Sequence, residues 1–116
     1  MALHIYGIKN CNTVKKALNW FEEHKLDYVF HDYKKEPATL KKLTEWENIT
    51  PWESLLNKKG TTWRKLSSEE QAKAIDATGA NALLLENNSM IKRPLIESGS
   101  DIVLGFDEAE YDRKFK

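Results

Sequence analysis

The first apolar run, LHIYGI over residues 3 to 8, is short, rich in aliphatic and aromatic side chains and ends near a glycine, which suits a central strand. The period then changes. Val14, Ala17, Leu18 and Phe21 fall at i, i+3, i+4 and i+7, while Lys15, Lys16, Asn19, Glu22 and Glu23 occupy the opposite face. This spacing predicts an amphipathic helix beginning at or just after Cys11, with Asn10, Asn12 and Thr13 available as caps. YVFHDY, residues 28 to 33, predicts a second strand. A strand, a one-sided helix and a strand within about thirty residues form a βαβ unit, whose strands run parallel and whose connection is right-handed.

After Glu36-Pro37 the pattern turns to short helical segments. Leu40, Leu43 and Trp46 share a face in the first, and Trp52, Leu55 and Leu56 mark another after Pro51. Ser67 followed by Glu70 is a capping box, with Ile75 expected on the buried side and Gly79 as the C-terminal stop. Asn81 to Asn88 predicts one more helix through Leu83, Leu84 and Leu85.

Strand character returns in PLIE (94 to 97) and DIVLG (101 to 105), and Ser98-Gly99-Ser100 between them predicts a tight antiparallel hairpin. Asp107 with Glu110 then repeats the capping pattern before a final helix through Ala109, Tyr111 and Phe115. The order is that of an α/β domain, a four-stranded mixed sheet flanked by helices. A thioredoxin-like fold with a helical insertion over residues 37 to 88 matches it best. The expectation is one domain over residues 1 to 116.

Composition narrows the function more than the fold. Eighteen basic residues balance eighteen acidic ones, so no global field draws the chain to nucleic acid or to an acidic membrane. No apolar run approaches the roughly twenty residues of a membrane span, and the N-terminus lacks a secretory pattern, so a soluble cytoplasmic protein is expected. His4, His24 and His31 show no ligand spacing, and one cysteine makes neither an internal disulfide nor a zinc site, so no metal is expected. No exposed heptad or apolar stripe demands a partner, which leaves a monomer as the default.

Cys11 is the only cysteine. A free cysteine is commonly a small buried hydrophobe. This one precedes the apolar stripe instead of belonging to it, in the strand-to-helix loop between Asn10 and Asn12. A helix start offers unpaired N–H groups and about half a positive charge, which favour thiolate over thiol; Lys9, Lys15 and Lys16 add cations nearby, and Lys9, Asn10 and Lys15 are taken as the thiolate-stabilising residues. An ordinary thiol with pKa near 8.5 is only about three per cent ionised at neutral pH, whereas one near 6.5 is about three-quarters ionised. Val14 stands three residues on, where a dithiol motif would have its second cysteine, so any redox chemistry must take its resolving thiol from outside. Glutathione is the abundant cytoplasmic candidate.

KNC-x-T-x-KKA at the first helix, LLNKKGTTWRKL over 55 to 66 and IKRPLI over 91 to 96 together resemble the YffB-like branch of the arsenate reductase (ArsC) family, relatives of the Spx regulators. The resemblance implies a thioredoxin-like fold with an extra helical region, a nucleophilic cysteine at Cys11, and an arginine followed by a cis-proline at Arg93 and Pro94. It further implies that Arg93 and Arg64 bind anionic groups of a substrate such as glutathione, with Pro94 shaping the groove. Taken without the resemblance, either arginine also fits an ordinary surface position. Glutathione-linked arsenate reductases of the family carry a histidine where this chain has Gly7, and arginines at Asn57 and near Gly105-Phe106. Only Arg93 remains of that set, which weighs against arsenate and toward a glutathione-dependent thiol reductase. Spx relatives imply an alternative, a regulator that binds RNA polymerase, although a Spx-type switch commonly uses a second cysteine.

Overall fold

The computed structural model describes residues 3 to 116. In chain order the elements are β1 (Leu3–Gly7), α1 (Asn12–Glu23), β2 (Tyr28–Asp32), α2 (Leu40–Glu47), α3 (Trp52–Leu55), α4 (Thr61–Lys65), α5 (Ser68–Ala72), α6 (Ala77–Glu86), a 3-10 turn (Asn88–Met90), β3 (Leu95–Ser98), β4 (Asp101–Leu104) and α7 (Glu108–Phe115). They form two compact units, one of residues up to Asp32 together with Arg93–Lys116, the other of Tyr33–Lys92.

The first unit holds the sheet, in the order β2-β1-β3-β4. β1 and β2 are parallel, with Ile5 beside Phe30, and β3 lies antiparallel on the other edge of β1, with Ile5 beside Ile96. Ser98 pairs with Asp101 across the β3–β4 turn, so the hairpin loop is the two residues Gly99 and Ser100. This is the thioredoxin-like mixed sheet that the sequence pattern predicts.

Because side chains alternate along a strand, Ile5, Ile96 and Val103 share one face. They pack with Ala17, Trp20 and Phe21 of α1 and with Tyr111 of α7. Burying an aliphatic or aromatic side chain of this size contributes roughly 1.5–3 kcal/mol. The helix stripe is broader than the four predicted positions. Trp20 is buried with 4% exposure, while Leu18 is only half-buried at the margin. The opposite sheet face carries His4, Tyr6 and His31. Tyr6 and His31 stack at 4.4 Å between ring centroids, and the His4 Nδ1 and His31 Nε2 atoms lie 2.8 Å apart. Both histidines are thus strand residues, as expected, and no group of three metal-ligating side chains occurs among the described residues.

The second unit is helical. Leu43 and Trp46 of α2, Leu55 and Leu56 around the end of α3, and Leu83 and Leu84 of α6 are buried. Ser67 forms the predicted reciprocal capping box with Glu70 at the start of α5. Three expectations fail in this unit. Leu40 is 54% exposed and lies off the buried face of α2. Ile75 is 80% exposed, because α5 ends at Ala72 and the chain has left the helix before reaching it. Gly79 does not stop a helix. It lies inside α6, which starts after Asp76, whose carboxylate accepts from the Gly79 N–H at 2.8 Å. Glycine is required there for a close approach, since a Cβ at Gly79 would fall 1.8 Å from the Lys73 carbonyl oxygen. The residues around Trp63 form a short helix, α4, with Arg64 in its last turn. No helix among the described residues is long and apolar enough to cross a membrane.

Candidate active site

Cys11 is the N-cap of α1, with extended backbone at φ −132° and ψ 126°, and its carbonyl accepts the Lys15 N–H at 2.9 Å. It is half-buried, neither sealed in the core nor fully solvated. The residue at an N-cap places its side chain over the first-turn N–H groups, which is why Ser, Thr, Asp and Asn are favoured there. In this chain the N-cap residue carries a thiol, and its sulfur accepts no hydrogen bond from the first turn. No cap side chain accepts from the first turn, and no acidic residue lies in it. The predicted caps Asn10, Asn12 and Thr13 therefore do not close the end of the helix. The first-turn N–H groups of α1 thus have neither a side-chain cap nor a nearby first-turn carboxylate.

Lys9 and Asn10, in the loop before Cys11, and Lys15, on the first turn after it, are exposed. The loop itself is fixed from both sides. Gly7 ends β1, and a Cβ there would lie 2.9 Å from the Val14 Cγ2 and 3.6 Å from the Cγ1. Val14 is fully buried, and a β-branched side chain on a helix has little rotamer freedom with which to yield. The end of β1 and the first turn of α1 are thus in close contact, with Cys11 on the short span between them. A side chain at position 7 has no room unless α1 moves.

Gly7→Ala is accordingly expected to push the α1 start away from the loop and to slow alkylation of Cys11 by iodoacetamide about two- to fivefold. That factor corresponds to about 0.4–1 kcal/mol in the activation barrier. Removing the colliding methyls as well, in Gly7→Ala combined with Val14→Ala, should recover the rate. Equal slowing in the single and double variants would place the effect elsewhere.

Arg93 and Pro94 belong to the same unit, and the bond between them is cis. Tyr6 of β1 pairs with Leu95 of β3, so the residues preceding Leu95 run alongside the end of β1 from which the Cys11 loop departs. Arg93 is half-buried and makes no ion pair or side-chain hydrogen bond with a described residue of its unit, which leaves its guanidinium available. Pro94 is buried, and its carbonyl accepts the Gly105 N–H at 2.9 Å. The Gly105 carbonyl in turn accepts from the Tyr111 hydroxyl at 2.6 Å. Burial, with Glu110 nearby, pushes the Tyr111 phenol above its ordinary range, so it remains a hydrogen-bond donor at any working pH. Sequence reasoning finds Tyr111 only as a buried helix residue. Its role in holding Gly105, and through it Pro94, has no local signal.

Arg64 lies on α4 in the helical unit, exposed. Trp63 beside it is half-buried, with the Lys58 ammonium 5.3 Å from its ring centroid, so Lys58 is exposed but stacked on an aromatic face. Asn57 has a structural task. Its side-chain oxygen accepts the Lys59 N–H at 3.0 Å and its own N–H donates to the Met90 carbonyl at 2.8 Å, which shapes the turn before α4.

A family model described as the ArsC family matches residues 6 to 114. An uncharacterized protein of Haemophilus influenzae is 45% identical over 112 residues, covering 96% of each chain. The solved structure of a YFFB protein superimposes with a TM-score of 0.93 at 40% identity, covering 98% of this chain and 99% of that one. That of an arsenate reductase (ArsC) related protein from Brucella melitensis is 46% identical with a TM-score of 0.78, covering 100% of this chain and 96% of its own.

Proposed function

Because the chain belongs to the ArsC family and has that family's thiol reductase fold, we propose that it is a glutathione-dependent thiol–disulfide reductase working through Cys11 alone. The observation that carries this reading is the placement of the sole cysteine, half-buried at an uncapped helix N-terminus with no acid in the first turn.

In the proposed cycle the Cys11 thiolate attacks the glutathione sulfur of a mixed disulfide R–S–SG. The S–S bond of R–S–SG breaks, RS⁻ leaves and takes a proton, and a Cys11–SG disulfide forms. A glutathione thiolate then attacks the glutathione sulfur of that bond, releasing oxidised glutathione and restoring the Cys11 thiolate. The net reaction converts RSSG and glutathione to RSH and oxidised glutathione, and no second protein thiol takes part. Lys9, Lys15 and the backbone around Asn10 favour the thiolate. Arg93 binds a glutathione carboxylate and Pro94 presents its neighbouring backbone to the peptide. The chemistry presumes a glutathione-rich compartment such as the cytoplasm.

Arsenate is the weaker substrate in this reading. An oxyanion needs a dense set of donors, and Gly7 has no room for a side chain. The test is a glutathione reductase-coupled assay with hydroxyethyl disulfide or arsenate as oxidant. Disulfide reduction above the uncatalysed rate, with arsenate reduction at background even when glutaredoxin is present, is the expected pair of results. Arsenate turnover exceeding disulfide turnover would reverse the substrate assignment.

A further inference from the structure

The helical unit contains a groove of 420 Å³ between α2 and α6. Leu40, Ala77, Ala82 and Leu85 supply apolar walls, and Leu40 and Leu85 are the large hydrophobic residues among them left exposed. Glu47 and Asn81 supply the polar lining that matters. Asn81 is only 6% exposed and donates through its side-chain nitrogen to the Glu47 Oε1 at 3.2 Å. The other carboxylate oxygen, Glu47 Oε2, and the amide oxygen, Asn81 Oδ1, are shielded from solvent and have no hydrogen-bond partner. No lysine, arginine or histidine lines the groove.

The imbalance does not depend on which way the Asn81 amide points. Turning it over offers the NH2 group to a new direction but sets its carbonyl against the Glu47 oxygen, an acceptor against an acceptor. Either way the pair has more acceptors than donors. Buried polar groups without partners are rare and costly, about 1–3 kcal/mol each and more for a charged one. What the pair lacks is a donor, and a cationic one answers the carboxylate best. An ammonium group offers three donors and no acceptor, and its aliphatic stem suits leucine and alanine walls. The groove volume lies at the small-ligand end of binding sites.

We propose that the α2–α6 groove binds a primary alkylammonium, the head group bonded to Glu47 Oε2 and Asn81 Oδ1 and the alkyl chain packed between Leu40 and Leu85. Both oxygens are shielded in this structure, so binding requires side chains at the groove to move. The assignment is independent of Cys11 and of the reductase reading.

The test uses the full chain, isotope-labelled, titrated with n-pentylammonium, n-pentanol and pentanoate while the backbone amide signals of Ala77, Ala82 and Leu85 are followed by NMR. Saturable shifts with the amine, at least about tenfold tighter than with the alcohol and absent with the acid, are expected. Nα-acetyl-lysine methylamide forms a further arm. Tighter binding than pentylammonium would identify a lysine side chain as the source of the cation, and weaker binding a free amine, both within the proposal. Glu47→Gln should weaken the amine about tenfold without lowering the thermal midpoint, since the amide keeps an acceptor for Asn81 while an incompletely paired carboxylate oxygen is removed. Equal binding of pentanol and pentylammonium, absence of any saturable shift with the amine, or unchanged amine affinity in Glu47→Gln would each overturn the proposal.

Discussion

Cys11→Ser is expected to bring glutathione-linked disulfide reduction to the uncatalysed rate while leaving the fold intact. The loss should be complete because the chain has no other thiol to attack a disulfide. A hydroxyl is too weakly ionised to substitute, and its product would not be a disulfide. The structural side of the substitution runs in the opposite direction. Cys11 is the N-cap of α1, and serine is a favoured N-cap whose oxygen accepts from the first turn. The thermal midpoint of Cys11→Ser should therefore equal or slightly exceed that of the parent, with a gain of up to about 1 kcal/mol. Activity and stability moving apart in this way separates a nucleophile from a packing residue. A buried structural cysteine would show the reverse, with little loss of turnover and a lower midpoint.

Phe21→Ala should produce the largest loss of stability among substitutions in the sheet unit. Phe21 is fully buried, and its ring centroid lies 5.2 Å from those of Trp20 and Phe115 and 5.6 Å from that of Tyr111. Truncation removes the transfer free energy of the ring and leaves a cavity that surrounding aromatics fill poorly. The expected cost is about 3–5 kcal/mol, against a typical domain stability of about 5–15 kcal/mol. Urea unfolding followed by far-ultraviolet circular dichroism measures it. A loss under about 1 kcal/mol would mean that the aromatic cluster is not the packing centre of this unit. Since Phe21 lies on the helix that carries Cys11, residual reductase activity in this variant should fall with the folded fraction and no further.

The elements of the sheet unit were open to sequence reasoning because each has a strong period of its own. Val14, Ala17 and Phe21 repeat at helical spacing over two turns, and the two-residue hairpin is bracketed by short strands. Trp20 escaped because it lies beside the i+3/i+4 positions, at the edge of a stripe wider than a minimal one. The helical unit is different. Its helices are mostly of four to ten residues, too short for periodicity to tell a buried face from an exposed one, so Leu40 and Ile75 were placed on the wrong side. Gly79 reads as a stop by composition alone. Only the Lys73 carbonyl, brought against it by the turn before α6, reveals why glycine stands inside a helix.

The candidate site divides along the same line. The position of Cys11 at a strand-to-helix junction is a local property and was legible. The cis Arg93–Pro94 bond came from the family resemblance, since X-Pro bonds are mostly trans and local sequence does not decide the isomer. The contact of Gly7 with Val14, the hydrogen bonds running from Pro94 through Gly105 to Tyr111, and the donor-poor pairing of Glu47 with Asn81 depend on tertiary approach. Glu47 and Asn81 are separated by 34 positions in the chain, and nothing local to either announces the other.

The most direct measurement of the central claim is intact-mass spectrometry of the protein quenched with acid during turnover of a glutathione mixed disulfide at limiting glutathione. The mechanism predicts one glutathionyl group per chain, mapped by peptide digestion to Cys11, appearing within the first turnover and discharged when glutathione is added. Turnover that proceeds with no glutathionyl adduct on Cys11 under these conditions would contradict it.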